Sequence, residues 1–137
     1  MDIQVATLCD SAADYSGKLC ILGSFDTIAV RQLPAVHPHC SIAMRIVFND
    51  VDEGKHKLTV NLIDEDGKSL LPNIEPSMDI RMPPNRFFSS SNLVLNLQGL
   101  KFEKIGQYSI DIAVDGTIMS RIPLQVVMMQ EKAGSGQ

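Results

Sequence analysis

Residues 106–126 read Gly-Gln-Tyr-Ser-Ile-Asp-Ile-Ala-Val-Asp-Gly-Thr-Ile-Met-Ser-Arg-Ile-Pro-Leu-Gln-Val. On both sides of Asp115-Gly116, apolar residues alternate with polar ones at a period of two, which is typical of half-buried β-strands. An Asp-Gly pair between two such runs is a strong signal for a tight turn. This stretch therefore predicts a β-hairpin in which apolar residues face inward at every second position.

The same alternation recurs along most of the chain, with turn residues such as Asp50–Gly54 and Asp64–Gly67 between the runs. Short strands at intervals of about ten residues predict an all-β, antiparallel, immunoglobulin-like sandwich of seven to nine strands. A jelly roll is the alternative, because the strand order is not determined by the pattern. The residues predicted to face inward are Ile42, Met44, Ile46 and Phe48; Leu58, Val60 and Leu62; Leu93, Leu95 and Leu97; Tyr108, Ile110, Ile112 and Val114; and Ile118, Ile122, Leu124 and Val126.

Two features refine this expectation. Segments 2–9 and 18–25 are apolar on both faces, which favours central strands that are covered on two sides. Tyr108 follows Gly106 closely at the start of the penultimate run, which is typical of a tyrosine corner whose hydroxyl bonds back to the preceding loop. The alternative is that Tyr108 is only the first inward-facing residue of its strand.

The composition bounds the class of protein. The chain has 137 residues, 45% of them hydrophobic, with 12 Lys and Arg against 16 Asp and Glu and a net charge of −4. These values fit one globular domain, expected at residues 1–129, and disfavour a disordered chain. The tail 130–137 is rich in small and polar residues, so it should be disordered, and its composition also fits an extension introduced by cloning. A mildly acidic chain without a basic cluster is not expected to bind nucleic acid.

No secretory signal or apolar run of about 18 residues is visible, so the sequence predicts a cytoplasmic protein that does not enter a membrane. Cys9, Cys20 and Cys40 have spacings that fit no metal or redox motif. We expect free thiols that pack as small hydrophobic side chains, with a Cys9–Cys20 cross-strand disulfide as the alternative.

His37 and His39 form the most site-like cluster. In an extended segment the two imidazoles face the same way and could share a metal ion. No further ligand accompanies them in the sequence, so we predict no metal site and keep these two residues as the candidates for one. Asp64-Glu65-Asp66-Gly67-Lys68 resembles the start of a calcium loop but lacks its later ligands, which favours a solvated turn.

No catalytic motif is evident. Cys9-Asp10 with a distant histidine could be a nucleophile and its base, but Cys9 follows a strand pattern that favours packing. Gly-x-Ser-x-Gly, phosphate-binding and dinucleotide-binding loops are all missing from the sequence. We therefore expect neither enzymatic activity nor a cofactor.

Arg86-Phe87-Phe88 contains the one aromatic pair outside a clean strand, and it lies at the end of the proline-rich stretch 70–88. Arginine and aromatic residues are enriched at protein interfaces, so these three residues are the candidate interface. The simpler alternative is that one phenylalanine enters the core at the start of the next strand. The lack of tryptophan argues against a sugar-binding platform, and a carbohydrate-binding module is kept only as a second alternative.

Three groups of residues carry a family resemblance. Cys9-Asp10, Gly17-Lys18-Leu19 and Gly23-Ser24-Phe25-Asp26-Thr27-Ile28, together with the C-terminal Gly-x-Tyr, Asp-Gly and Pro-Leu pattern, resemble a family of short, stand-alone bacterial proteins of unknown function. The resemblance extends over residues 2–127 and implies an immunoglobulin-like β-sandwich, but no activity.

The function expected from the sequence is a non-catalytic module that binds another protein through its sheet edges and the 70–88 loop. A lone sandwich must cover or pair its edges, so homo-oligomerisation is a further expectation. The rival hypothesis is a small metal- or ligand-binding protein that uses His37 and His39.

Overall fold

The structure is a computed structural model that describes residues 1–130. The tail expected to be disordered lies outside the described residues, except for Gln130. Within residues 1–130 the elements are β1 Asp2–Tyr15, β2 Lys18–Ser24, β3 Thr27–Val30, β4 Ala35–Phe48, a 3₁₀ turn at Asp50–Asp52, β5 Gly54–Asp64, β6 Ser77–Ile80, β7 Ser89–Phe102, β8 Gly106–Val114 and β9 Thr117–Met128.

The strands form two sheets that pack face to face. One has the order β2-β1-β4-β7 and the other has the order β3-β9-β8-β5-β6. Neighbouring strands are antiparallel except for β3, which runs parallel to β9. The predicted all-β sandwich is confirmed, and the described residues contain no α-helix.

The core consists of the inward faces that the alternation predicts. Strands β4, β5 and β8 bury their predicted apolar residues almost completely, as does β9 from Ile122 onward. Ile118 is an exception, because the pairing of β8 with β9 shifts between Ile112 and Ala113. This β-bulge turns Ile118 to the outside, where it is 46% exposed, so its predicted inward position is wrong.

The predicted tyrosine corner is confirmed. The buried Tyr108 hydroxyl donates a hydrogen bond of 2.6 Å to the carbonyl oxygen of Lys104. The ring of Tyr108 also packs edge-on against Phe102, with ring centroids 5.2 Å apart. These two contacts fix the loop between β7 and β8 and therefore fix the C-terminal end of β7.

The first hairpin folds back over the outer face of its own sheet. Arg45 Nη1 donates a hydrogen bond of 3.1 Å to the Gly17 carbonyl, although Arg45 pairs across the sheet with Val5. About twelve extended residues separate Val5 from Gly17 and would span about 40 Å, so β1 must bend sharply. The hairpin therefore covers outward-facing Cys9, Ser41 and Ala43, all of which are 0% exposed.

This bend explains why β1 is apolar on both faces, and β1 is central as predicted. The same prediction is wrong for β2, which is an edge strand. The bend lies where Asp10 faces Gly23, whose φ is +70°. A Cβ atom at Gly23 would lie 2.6 Å from Oδ2 and 3.3 Å from Cβ of Asp10, so a larger residue would displace the Asp10 side chain in addition to straining the backbone.

Candidate functional site

Strand β7 is the open edge of the four-stranded sheet. It pairs with β4 in one constant register, from Ala35 opposite Phe102 to Phe48 opposite Ser89. Beyond this ladder, the backbone of residues 89–102 makes no hydrogen bond to the backbone of any other part of residues 1–130. Unpaired N–H and C=O groups along an edge strand are a template for pairing with another chain.

The other edge strands of the two sheets are shorter than β7. Strands β3 and β6 have four residues each, and β2, which folds back with the first hairpin, has seven. By contrast, β7 has 14 residues, contains no proline, and carries no charge before Lys101. Natural proteins usually blunt an edge with a short strand, proline or an added charge. Such devices are missing from most of β7.

Two clefts lie beside β7, between it and the edge of the opposite sheet. One, of about 430 Å³, is lined by residues 71–74 and by β7 from Asn96 to Leu100. The other, of about 220 Å³, lies between β6 and β7 and contacts Ser91 and Leu93. A strand added to β7 would direct alternate side chains toward these clefts.

Arg86, Phe87 and Phe88 directly precede β7 and are all exposed. Phe87 is 97% exposed and Phe88 is 62% exposed, so the expectation that one of them enters the core is wrong. The core at this end is instead closed by a small cluster formed by Ile46, Phe48 and Ile80, with Met82 packed against it. The candidate interface residues therefore lie on the surface at the N-terminal end of the open edge.

The 70–88 loop has an anchored part and a free part. Its first part lies along β5, with Leu70 N bonded to Leu62 O at 2.9 Å and Val60 N bonded to Ile74 O at 2.9 Å. It continues into the short strand β6, Ser77–Ile80. The part available for contact is therefore the segment just before β7.

His37 and His39 do not share a site. Leu97 and Leu100 of β7 are both buried although they are three residues apart, so the strand changes face at Gly99, which has a φ of +65°. Opposite this change, His37 lies on the core side with its ring centroid 5.6 Å from that of Phe25. His39 is exposed and pairs with Gln98. The expectation that both imidazoles face the same way is therefore wrong.

His37 borders a cleft of about 510 Å³ between β3 and the start of β4, which also contacts Arg31 and Phe102. This cleft combines one imidazole and one guanidinium with apolar walls. Within residues 1–130, no group of three or more His, Cys, Asp or Glu side chains has the spacing needed to hold a metal ion.

The candidate calcium loop is a turn stabilised by its own carboxylate. Asp64 Oδ1 accepts hydrogen bonds from the backbone N–H groups of Asp66 and Lys68, both at 2.9 Å. The bond from Lys68 is the main reason why the pKa of Asp64 lies below its ordinary value. Lys104 Nζ lies 3.7 Å from the other oxygen of Asp64. The interpretation as a turn is confirmed. Both oxygens of the Asp64 carboxylate interact with groups of the protein itself.

The cysteines are free, and two of them are buried. Cys20 pairs with Ala13, whereas Cys9 pairs with Ser24, so the alternative of a Cys9–Cys20 cross-strand disulfide is wrong. Burial raises the pKa of Cys9 and raises that of Cys40 to about 11. Both thiols are therefore protonated at neutral pH, which makes them poor nucleophiles.

His56 forms a polar cluster that sequence reasoning missed. Its Nδ1 lies 2.6 Å from Asp115 Oδ2, and its Nε2 lies 2.7 Å from the carbonyl oxygen of Asp52. The ionised Asp115 carboxylate and the Asp52 carbonyl are both acceptors, so this geometry favours the ring form that carries a proton on each nitrogen. The Asp115 bond is the main cause of the raised pKa of His56. The sequence gives little sign of this cluster, because His56 and Asp115 lie far apart along the chain and only the pairing of β5 with β8 brings them together.

No helix within residues 1–130 is both long enough and apolar enough to cross a membrane. A comparison with curated proteins gives no match. A family model described as a family of unknown function, DUF6941, matches residues 4–127. Because this match includes nearly all of the sandwich, the chain belongs to the DUF6941 family.

Proposed function

We propose that the protein is a non-catalytic, immunoglobulin-like module that binds another protein through the β7 edge and the segment before it. The observation that carries the proposal is the long, uncharged edge of β7 with Phe87 almost fully exposed beside it. Exposed aromatic residues next to unpaired backbone groups are suited to the capture of an extended segment.

The strand order supports the immunoglobulin-like part of the proposal. Strands β1-β4-β7 face β9-β8-β5-β6, in the same arrangement as strands A-B-E and G-F-C-C′ of immunoglobulin domains. Tyr108, at the start of β8, occupies the place of the tyrosine corner on strand F. In such domains the sheets serve as a scaffold, and function lies in loops and edges.

The mode of binding that we propose is strand addition. A partner segment would bond to the free backbone of β7, and every second side chain would enter one of the two clefts beside it. Leu93 and Leu95 are only half-buried in the described structure. A partner segment that covered these two leucines would gain stability from buried apolar surface as well as from backbone hydrogen bonds.

We further propose a bacterial, cytoplasmic setting without a cofactor. Three free cysteines, one of them exposed, support a reducing compartment. The bacterial origin is supported only by the resemblance found in the sequence.

A second candidate function is the binding of a small anionic ligand in the His37 cleft. The observation that favours it is the presence of Arg31 and His37 at the rim of this cleft. Thermal shift with inorganic phosphate and carboxylates, on the native protein and on His37→Ala, tests this candidate. A shift lost in the variant supports it.

Affinity capture from the native host tests the main proposal. The bait proteins are the native chain, Phe87→Ser/Phe88→Ser, and the matched control Tyr15→Ser/Leu22→Ser, which removes two exposed apolar side chains from the first hairpin. We expect a protein that co-purifies with the native chain and the control but is lost from the Phe87/Phe88 variant. Recovery of the same proteins with all three baits, or of none with any, contradicts the proposal.

A further inference from the structure

We infer that the occupant of the β7 edge is the β7 edge of a second copy. The two strands pair in antiparallel fashion about Leu95 and join the two four-stranded sheets into one of eight strands. This inference deepens the proposed function, on which it rests in treating β7 as a contact surface. It narrows the proposed strand addition to a second copy of the chain, so that a different protein would contact Phe87 and Phe88 and not the backbone of β7.

The sequence of β7 is nearly the same in both directions from Leu95. Residues 91–99 read Ser-Asn-Leu-Val-Leu-Asn-Leu-Gln-Gly. Antiparallel pairing about the centre places Leu93 opposite Leu97, Asn92 opposite Gln98 and Ser91 opposite Gly99 of the second copy. A two-fold interface requires such self-complementarity, because each copy presents the same patch to the other.

Charge does not oppose this pairing. Residues 89–100 carry no ionisable side chain, although the whole chain has a net charge of −4. Like charges directly opposite one another destabilise a strand pair, and none arises here. Within residues 1–130, the charged groups that are hydrogen-bonded to this part of β7 are Arg45 and Asp14 at Asn92, and their opposite charges add no net charge beside the edge.

The two clefts beside β7 fit the same two-fold arrangement. One contacts Leu93 and the other contacts Leu97, so they lie on either side of Leu95. Pairing about Leu95 places Leu97 of the second copy beside the first cleft and Leu93 of the second copy beside the other. Leu93 and Leu95, which are half-buried, would each gain a leucine of the second copy as a neighbour.

The pairing has a consequence for the partner protein. Phe88 lies seven residues before Leu95, so the two Phe87-Phe88 pairs of a dimer would lie about 45 Å apart, at opposite ends of the paired strands. Such a dimer presents two equal aromatic sites. It would bind a partner with repeated sites much more tightly than a monomer does.

Sedimentation velocity over a range of protein concentrations tests the inference. We expect the native chain to form a dimer and Asn96→Lys/Gln98→Lys to be monomeric, because both substituted positions are exposed on β7 and would carry four lysines into the paired edges. The matched control is Cys20→Lys/Leu22→Lys, which adds the same charge at the same spacing on exposed positions of β2. It should remain dimeric. Circular dichroism checks that both variants are folded.

The register is tested by disulfide cross-linking in a Cys20→Ser background. Val94 lies opposite Asn96 of the second copy, so mixing Val94→Cys with Asn96→Cys should give a cross-linked heterodimer far faster than either variant alone. A native chain that is monomeric at all concentrations, or a control that dissociates as readily as the β7 variant, overturns the inference. If the chain is monomeric but Phe87-dependent capture persists, only the dimer is wrong and the proposed function holds.

Discussion

The two edge strands of the four-stranded sheet, β2 and β7, differ in length, in charge and in their position relative to the sheet. At the β2 edge, the hairpin bends back over the outer face and covers Cys9, Ser41 and Ala43. At the β7 edge, 14 residues lie open, with neither proline nor a charge before Lys101. The β2 edge has only seven residues and begins at Lys18, so β7 offers the longer uncharged edge, and this is the edge that the proposed pairing uses.

Polar side chains hold the hairpin in place. Arg45 Nη1 donates to Asn92 Oδ1 at 2.7 Å as well as to the Gly17 carbonyl, and its Nε donates to Gln4 Oε1 at 3.1 Å. Asn92 in turn donates to Asp14 Oδ2 at 3.2 Å. This network, which we call the Arg45 clasp, connects four segments of the chain. Within residues 1–130, no backbone hydrogen bond joins the free side of β7 to another segment.

The largest effect on stability comes from a comparison of two glycines, one in each edge strand, and is expected at Gly23. Gly23 in β2 and Gly99 in β7 both have a positive φ, but only at Gly23 would a Cβ atom meet another group. Gly23→Ala should lower the free energy of unfolding by about 2–3 kcal/mol, since it adds a clash with Asp10 to the cost of a left-handed backbone. Gly99→Ala should cost only about 1 kcal/mol.

Urea unfolding of the two glycine variants measures this difference. Equal costs at both positions would show that the bend at Asp10 and Gly23 is not close-packed, and the comparison between the two edges would lose its structural basis. Preserved stability in Gly23→Ala would contradict the fold-back of the hairpin itself.

A second polar clasp, between His56 and Asp115, should make stability depend on pH. The pKa of His56 is raised in the folded state, mainly by the Asp115 carboxylate and then by the Asp52 carbonyl. Its contribution to stability is fully present below the pKa of free imidazole, about 6.5. The contribution is lost as pH rises through the raised pKa. The melting temperature should therefore fall as pH rises above neutrality.

The control for the pH effect is His39, which is exposed, and His56 differs from it in that its ring nitrogens contact Asp115 and Asp52. His56→Asn should abolish the fall in melting temperature above neutral pH, whereas His39→Asn should preserve it. An unchanged pH profile in His56→Asn would mean that the His56 clasp does not stabilise the fold.

The sequence predicted those parts of the fold that depend on local alternation. The inward faces of β4, β5 and β8 follow a period of two without interruption, and the corner at Tyr108 follows from its position after Gly106. Errors arose where the backbone changes face. The bulge beside Ile112 turned Ile118 outward, and the change of face at Gly99 separated His37 from His39. Such changes depend on pairing between strands, which a single sequence does not encode locally.

The candidate site was predicted in part. Arg86, Phe87 and Phe88 were identified from their composition, because they interrupt a proline-rich stretch with aromatic side chains. Their position beside a free edge could not be derived, since it depends on which strands lie at the edges of the sheets. The Arg45 clasp was missed for a similar reason: it joins Gly17 to Arg45 only after β1 has bent at Asp10.

The smallest effect on stability is expected at the open edge. Phe87 and Phe88 are exposed, so Phe87→Ser/Phe88→Ser removes little buried apolar surface and should change the free energy of unfolding by less than about 0.5 kcal/mol. Phe48→Ser, in the small cluster that closes the core nearby, is the control and should cost about 3–5 kcal/mol. Urea unfolding compares the two variants. Two large, exposed aromatic side chains whose removal leaves stability unchanged have a role outside the fold, and contact with another molecule is the role that their exposure favours. A large loss of stability in the Phe87/Phe88 variant would instead place these side chains in the core and remove the surface on which the proposed function depends.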